Sequence, residues 1–170
     1  MADAFARMHR RLFARLGQEA LLRGTPLRAG NRDYTYSRTL QPLPAPGSVR
    51  IEYTSGEEAQ QMTDDGAGGI TGDGTGTVDY ASGALAVTLD ALPDVDTQVV
   101  FSWASATTVI LEHGVAVTGE YGQVTGYRSF ATIQVEDAPK VGDSLTVDGQ
   151  GYIVDAIDAN DGHTVSVVLR

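Results

Sequence analysis

The segment from Lys140 to the end of the chain leaves little room for anything but antiparallel β-structure. It reads Lys140-Val-Gly-Asp143-Ser-Leu-Thr-Val-Asp148-Gly149-Gln-Gly-Tyr152-Ile-Val-Asp-Ala-Ile157, then Asp161-Gly162 and Val165-Ser-Val-Val-Leu169. Asp148-Gly149 and the run Asp158-Ala-Asn-Asp-Gly162 supply residues that tolerate positive φ, so they mark tight reversals between strands. Leu145 and Val147 alternate with polar neighbours, as do Val165, Val167 and Leu169, which is the period of a half-buried strand. The pattern predicts a compact meander that closes a small antiparallel β-barrel.

The 170 residues suffice for one ordinary domain or two small ones, each with a real core. Few aromatics and many glycines suit short strands joined by tight turns. No apolar run approaches a membrane span, and the first residues lack the apolar core of a secretion signal, so no membrane partner is expected. Cysteine is absent, which excludes a disulfide scaffold, a thiol nucleophile and a cysteine metal site. Charge is divided sharply along the chain. Residues 1–50 hold nine arginines against Asp3, Glu19 and Asp33, a net of +6. Residues 51–170 hold Arg128, Lys140 and Arg170 against nineteen acidic residues, a net of −16. A positive head of this kind suits a negative partner, and in a homo-oligomer that partner could be the next copy's body. Two simply solvated faces are the plainer alternative.

Residues 2–23 read as one helix, with Phe5, Leu12, Phe13, Leu16 and Ala20 on one side, His9 among them, and Arg7, Arg10, Arg11 and Gln18 opposite. Gly24 and Pro26 stop it. Leu27–Ala29 and Tyr34–Ser37 follow as a strand pair or one bent strand. Pro42, Pro44 and Pro46 then predict a stiff, extended linker over 41–47 and the best domain boundary in the chain. Beyond it, Val49–Tyr53 and Ala59–Met62 form a hairpin, the glycine-rich 66–76 a loop or pair of tight turns, and Thr77–Tyr80 and Ala84–Leu89 a second hairpin about Ser82-Gly83. Gln98–Trp103 is the last strand of this group. Thr107–Val117 and Tyr127–Val135 resume the barrel style. The expected architecture is therefore mainly β. Residues 1–40 and 107–170 make a discontinuous barrel domain with an N-terminal helix. Residues 41–106, linker included, are an inserted small β-sandwich or barrel, tolerated because closing a longer loop costs little extra entropy.

The closing meander, from Val141-Gly-Asp143 through Tyr152-Ile-Val-Asp155 to Asp161-Gly162, resembles the C-terminal part of the head–tail joining proteins of long-tailed bacteriophages. Met1-Ala-Asp leading into an amphipathic helix, and Gly24-Thr25 introducing the first strand, are similar to the tail-attachment, or head-completion, proteins of the lambda type. The similarity spans about 105 residues and is strong over about 30 of them; 48–106 has no counterpart in that pattern. The wording Gly-Thr77-Val-Asp-Tyr80-Ala-Ser-Gly-Ala-Leu85 looks like small β-modules of phage tail proteins. The resemblance implies a structural protein of the virion neck, made in the host cytoplasm, that forms a ring joining the portal connector of the filled head to the tail. A hexameric ring fits tail symmetry; a dodecamer is the alternative. Implied partners are further copies, portal or connector proteins, and tail terminator or tail-tube proteins, with packaged DNA passing only through the lumen.

Signals for chemistry are poor. His9, His113 and His163 have no ligand-spaced partners, and no nucleophile elbow, zinc-protease or phosphate-loop motif is present. The 66–76 run lacks a phosphate-binding lysine. Asp158-Ala-Asn160-Asp161-Gly162 resembles the start of a calcium loop, but the position that needs a bidentate Glu is Leu169. There and at Asp64-Asp65 and Asp94-Val-Asp96, a turn is the expected role. No catalytic residue, cofactor or metal is expected. The most functional surface is the helix. Arg7, Arg10, Arg11 and Arg15, with Phe5, Leu12 and Leu16, are expected to form a protein interface, because guanidinium groups pair with carboxylates in bidentate fashion. Protein docking is preferred to DNA contact, since the body is acidic. Rival readings are a tail terminator or tail-completion protein, and a binding module for glycan or host surface using Trp103, Tyr53 and Tyr80.

Overall fold

The computed structural model describes residues 2–30, 33–118 and 121–170, and the side chains of these except residues 2–6 and 10. The protein is mainly β, and its sheets are antiparallel and curled. Helix α1 (Ala2–Leu16) leads directly into β1 (Gln18–Arg23). Eight short strands follow: β2 (Leu27–Ala29), β3 (Thr35–Thr39), β4 (Arg50–Ser55), β5 (Glu58–Asp64), β6 (Gly69–Gly72), β7 (Gly74–Val78), β8 (Ala84–Leu89) and β9 (Val99–Ser102). Then come the long β10 (Ser105–Thr118) and β11 (Val124–Gln134), and finally β12 (Ser144–Val147), β13 (Gln150–Asn160) and β14 (Thr164–Leu169). The chain divides into two compact units, Met1–Leu22 with Thr107–Arg170, and Arg23–Ala106.

The first unit is a closed barrel in the order β1-β10-β11-β14-β13-β12. Its core comes from alternate positions: Ala20 and Leu22 of β1, Val109 of β10, Ala131 and Ile133 of β11, Leu145 and Val147 of β12, Val154 of β13, and Val165, Val167 and Leu169 of β14. Each fully buried Val, Leu or Ile contributes roughly 1.5–3 kcal/mol over an exposed one. Asp148 and Gly149 take φ of 49° and 79°, the left-handed pair that a two-residue reversal between Val147 and Gln150 requires. β10 and β11 outrun the barrel. β14 ends with Leu169 opposite Ser129, whereas the β10–β11 pairing continues to Thr118 opposite Val124. The result is a two-stranded ribbon with Tyr127, Val124 and Tyr121 exposed on or beside it.

Two expectations for the first forty residues are corrected. The helix ends at Leu16 rather than near residue 23, because Gln18–Arg23 alternates and the barrel takes Ala20 and Leu22 as core; burial overrides helical spacing. β2 and β3 are not barrel strands. They are the two edges of the second unit's sheet, whose order is β2-β9-β4-β5-β6-β7-β8-β3. The first unit thus ends at Leu22, not near residue 40.

That second sheet curls about its own core. Tyr36 of edge strand β3 stacks edge-on against Phe101 of β9, with centroids 5.9 Å apart, although five strands lie between them in the sheet order. The Tyr36 hydroxyl donates to the Gly30 carbonyl at 2.7 Å, just beyond the opposite edge. The proline run is not a free linker either. Leu40, Pro44 and Ala45 are buried, Ala45 N–H donates to the Ala104 carbonyl at 2.7 Å, and Trp103 Nε1 donates to the Pro42 carbonyl at 2.8 Å. Of residues 66–76, expected as a loop or pair of tight turns, 69–72 and 74–76 are strand, forming β6 and the start of β7. Glycine is needed there because a Cβ on Gly74 would lie 2.4 Å from the Thr88 carbonyl oxygen and 2.9 Å from Met62 Cε.

Candidate functional site

The N-terminal helix was the site expected from sequence, and its two apolar lines have different fates. At about 100° per residue, positions four apart stack in rows along a helix. Phe13 is 4% exposed, and His9, one turn earlier, is half-buried. This row docks on the barrel. His9 Nε2 lies 3.8 Å from Asp161 Oδ2, and its ring is 5.7 Å from that of His163, both on the β13–β14 turn. Gly17 ends the helix at the same contact. Its N–H donates to the Phe13 carbonyl at 2.8 Å, and a Cβ there would sit 2.3 Å from Thr108 Cγ2.

The adjoining row, Met8, Leu12 and Leu16, is 53%, 41% and 54% exposed. Leu12 and Leu16 therefore do not pack with Phe13, as one apolar face would require; the row beside it takes that place. Arg7, Arg11 and Arg15 form the next row and are also exposed. The helix presents an apolar stripe bordered by guanidinium groups. Phe5 and Arg10 belong to α1, but their side chains lie outside the described residues.

The aspartates serve the turns. Asp161 accepts from the N–H groups of His163 and Thr164 at 2.8 and 2.7 Å. The Thr164 and His163 amides, with a smaller contribution from His9, hold its carboxyl below the ordinary carboxylate range. Asp65 is lowered by the Ala67 and Gly69 amides, and Asp79 by the Ser82 hydroxyl and the Ala81 amide. Asp64 goes further. Buried at 9% exposure, its Oδ1 accepts from Gly47 N–H, Gly66 N–H and the Tyr80 hydroxyl, and its Oδ2 from Val49 N–H, all at 2.7–2.8 Å. This cross-tie, which joins the proline segment to β5 and Tyr80, was not visible in sequence. Among the described residues no three His, Asp or Glu side chains converge as a metal site would require.

The aromatic residues of a sugar platform have structural work instead. Tyr53 is buried, its hydroxyl donating to the Asp73 carbonyl at 2.6 Å. Tyr80 is tied to Asp64, and both Tyr80 and Trp103 pack on the second core. Of the histidines, His113 is exposed in the ribbon, with Nδ1 3.0 Å from Ser129 Oγ. No family model, no curated protein and no solved structure matches this chain.

Proposed function

We propose that this protein is a structural, non-catalytic component of a bacteriophage neck, a ring that joins the portal connector of the DNA-filled head to the tail. The observation that carries the reading is a small barrel whose N-terminal helix leaves an apolar row and an arginine row exposed side by side. A helix of this length is marginal in water by itself. One held to the barrel by Phe13, with a second apolar row outward, is suited to a protein contact. The resemblance of 141–162 to head–tail joining proteins supports the assignment, and the exposed β10–β11 ribbon offers a further contact for the connector or the tail. Packaged DNA passes through the lumen without tight binding, as an acidic body requires.

The test is complementation. Filled heads made without this protein should fail to join purified tails, and its addition should restore infectious particles. If such heads join tails normally while tail length or tube assembly fails, the protein is a tail-completion factor and the neck reading is wrong.

A further inference from the structure

The outward face of α1 has a counterpart on the same polypeptide. In the second unit, an open groove of about 800 Å³ is lined by Leu92, Pro93, Val95 and Asp96 on the loop before β9, and by Arg28 on β2. Leu92 and Val95 are 42% and 84% exposed. The β4–β5 hairpin tip is tied to this loop. Asp94 accepts from the N–H groups of Gly56 and Glu57, both at 2.8 Å, and Ser55 Oγ donates to the Leu92 carbonyl at 2.9 Å. Asp96 lines the groove, Glu57 is held to Asp94 at the hairpin tip with Glu58 next to it, and Asp90 lies two residues before Leu92; all four are exposed. Arg28 is the opposing charge, and its guanidinium donates to Gln98 Oε1 at 3.2 Å.

We infer that the helix face Met8–Leu12–Leu16, with Arg7, Arg11 and Arg15, seats on the Leu92–Val95 groove of a second copy, with Asp90, Asp96, Glu57 and Glu58 receiving the arginines. Charge complementarity selects this occupant. The groove belongs to the unit 23–106, which holds five arginines against eleven acidic residues, a net of −6, so another acidic surface is repelled from it, while the helix, with four arginines against Asp3, a net of +3, is attracted. Apolar side chains at the centre and charges at the rim are the usual anatomy of a protein contact. Because the two surfaces differ, the contact is head-to-tail and closes into a ring or runs on as a filament. The inference deepens the ring reading and rests on it for closure.

The test is sedimentation velocity of the full-length protein across a concentration series, at about 0.05 M and about 0.5 M salt, a range over which exposed charges become strongly screened. Wild type should self-associate with rising concentration, less at high salt. The triple variant Arg7→Glu, Arg11→Glu, Arg15→Glu and the double variant Asp90→Lys, Asp96→Lys should each weaken association by about tenfold or more. Mixing the two should restore it, because each reversed surface then meets its complement. Circular dichroism verifies that each variant is folded, and Leu12→Gln, which leaves every charge in place, should weaken association as well. Wild type that stays monomeric at every concentration overturns the inference, whether the helix folds onto its own chain's groove or binds vesicles of anionic lipid. Undiminished association of either charge variant, or no restoration on mixing, also overturns it. Self-association controlled by these variants in a protein that fails to complement heads would leave the contact standing and remove only the neck role.

Discussion

Asp64 is the side chain whose loss should be felt most in the second unit. Replacing it with Ala leaves Val49 N–H, which is buried, and Gly47 N–H, Gly66 N–H and the Tyr80 hydroxyl, which are partly buried, without their acceptor. A buried donor stranded in this way costs about 1–3 kcal/mol, while the partly buried ones recover water and lose less. Asp64→Ala should therefore destabilise the unit by about 3–5 kcal/mol. Asp64→Asn is the sharper probe. Its amide oxygen can keep the three bonds made at Oδ1, while its NH2 group replaces Oδ2 and faces the Val49 N–H. The expected loss is about 1–3 kcal/mol, clearly smaller than for Ala. The assay is urea unfolding followed by fluorescence of Trp103, the chain's single tryptophan, which packs on the core of the same unit. An Ala variant within about 0.5 kcal/mol of wild type, or an Asn variant as damaged as Ala, would refute the reasoning.

Gly17→Ala should unsettle the first unit by about 1–3 kcal/mol, since the new methyl would overlap Thr108 Cγ2 and the Phe13 carbonyl; thermal melting of the variant measures it. Replacing 23–106 with a short Gly-Ser loop should leave a folded β-protein by circular dichroism and proteolysis, whereas removing only 44–106 would strand β2 and β3 without their partners β9 and β8. Asp161, whose folded-state pKa is depressed, adds stability that is present above its unfolded value and is lost as pH falls through its lower folded value. The Asp161→Asn variant should accordingly show a shallower loss of melting temperature on acidification than wild type, and an unchanged slope would count against the turn's amides as the cause. Arg7→Glu with Arg11→Glu and Arg15→Glu should abolish joining of heads to tails with the circular dichroism spectrum unchanged; full activity would reduce that face to a solvated one.

Local chemistry determined the reversals. Asp148-Gly149 and Asp161-Gly162 turn where positive φ is easily adopted, and the alternation of Ala84–Leu89 reads directly as strand, because a period of two has one structural meaning when one face is buried, whereas Thr164–Leu169, expected to be half-buried, is buried on both faces. The mainly β character and the start of the helix were legible for the same reason: each is a property of residues close together in the chain. What lay beyond reach required knowing which surface was near. Ala20 and Leu22 suit a helix stripe or a strand equally, and only the space inside the barrel made Gln18–Arg23 a strand. Leu12, Phe13 and Leu16 lie within one helical arc, and only the approach of Thr108 and the β13–β14 turn decided that Phe13 is buried while the leucines face outward. The strands β2 and β3 went to the second sheet because β9 and β8 offered them open edges, and the proline segment became core because Asp64, Ala104 and Trp103 supplied its hydrogen bonds. Tertiary structure decided these points because a hydrogen bond or a buried face needs a partner distant in sequence, and no local pattern names that partner.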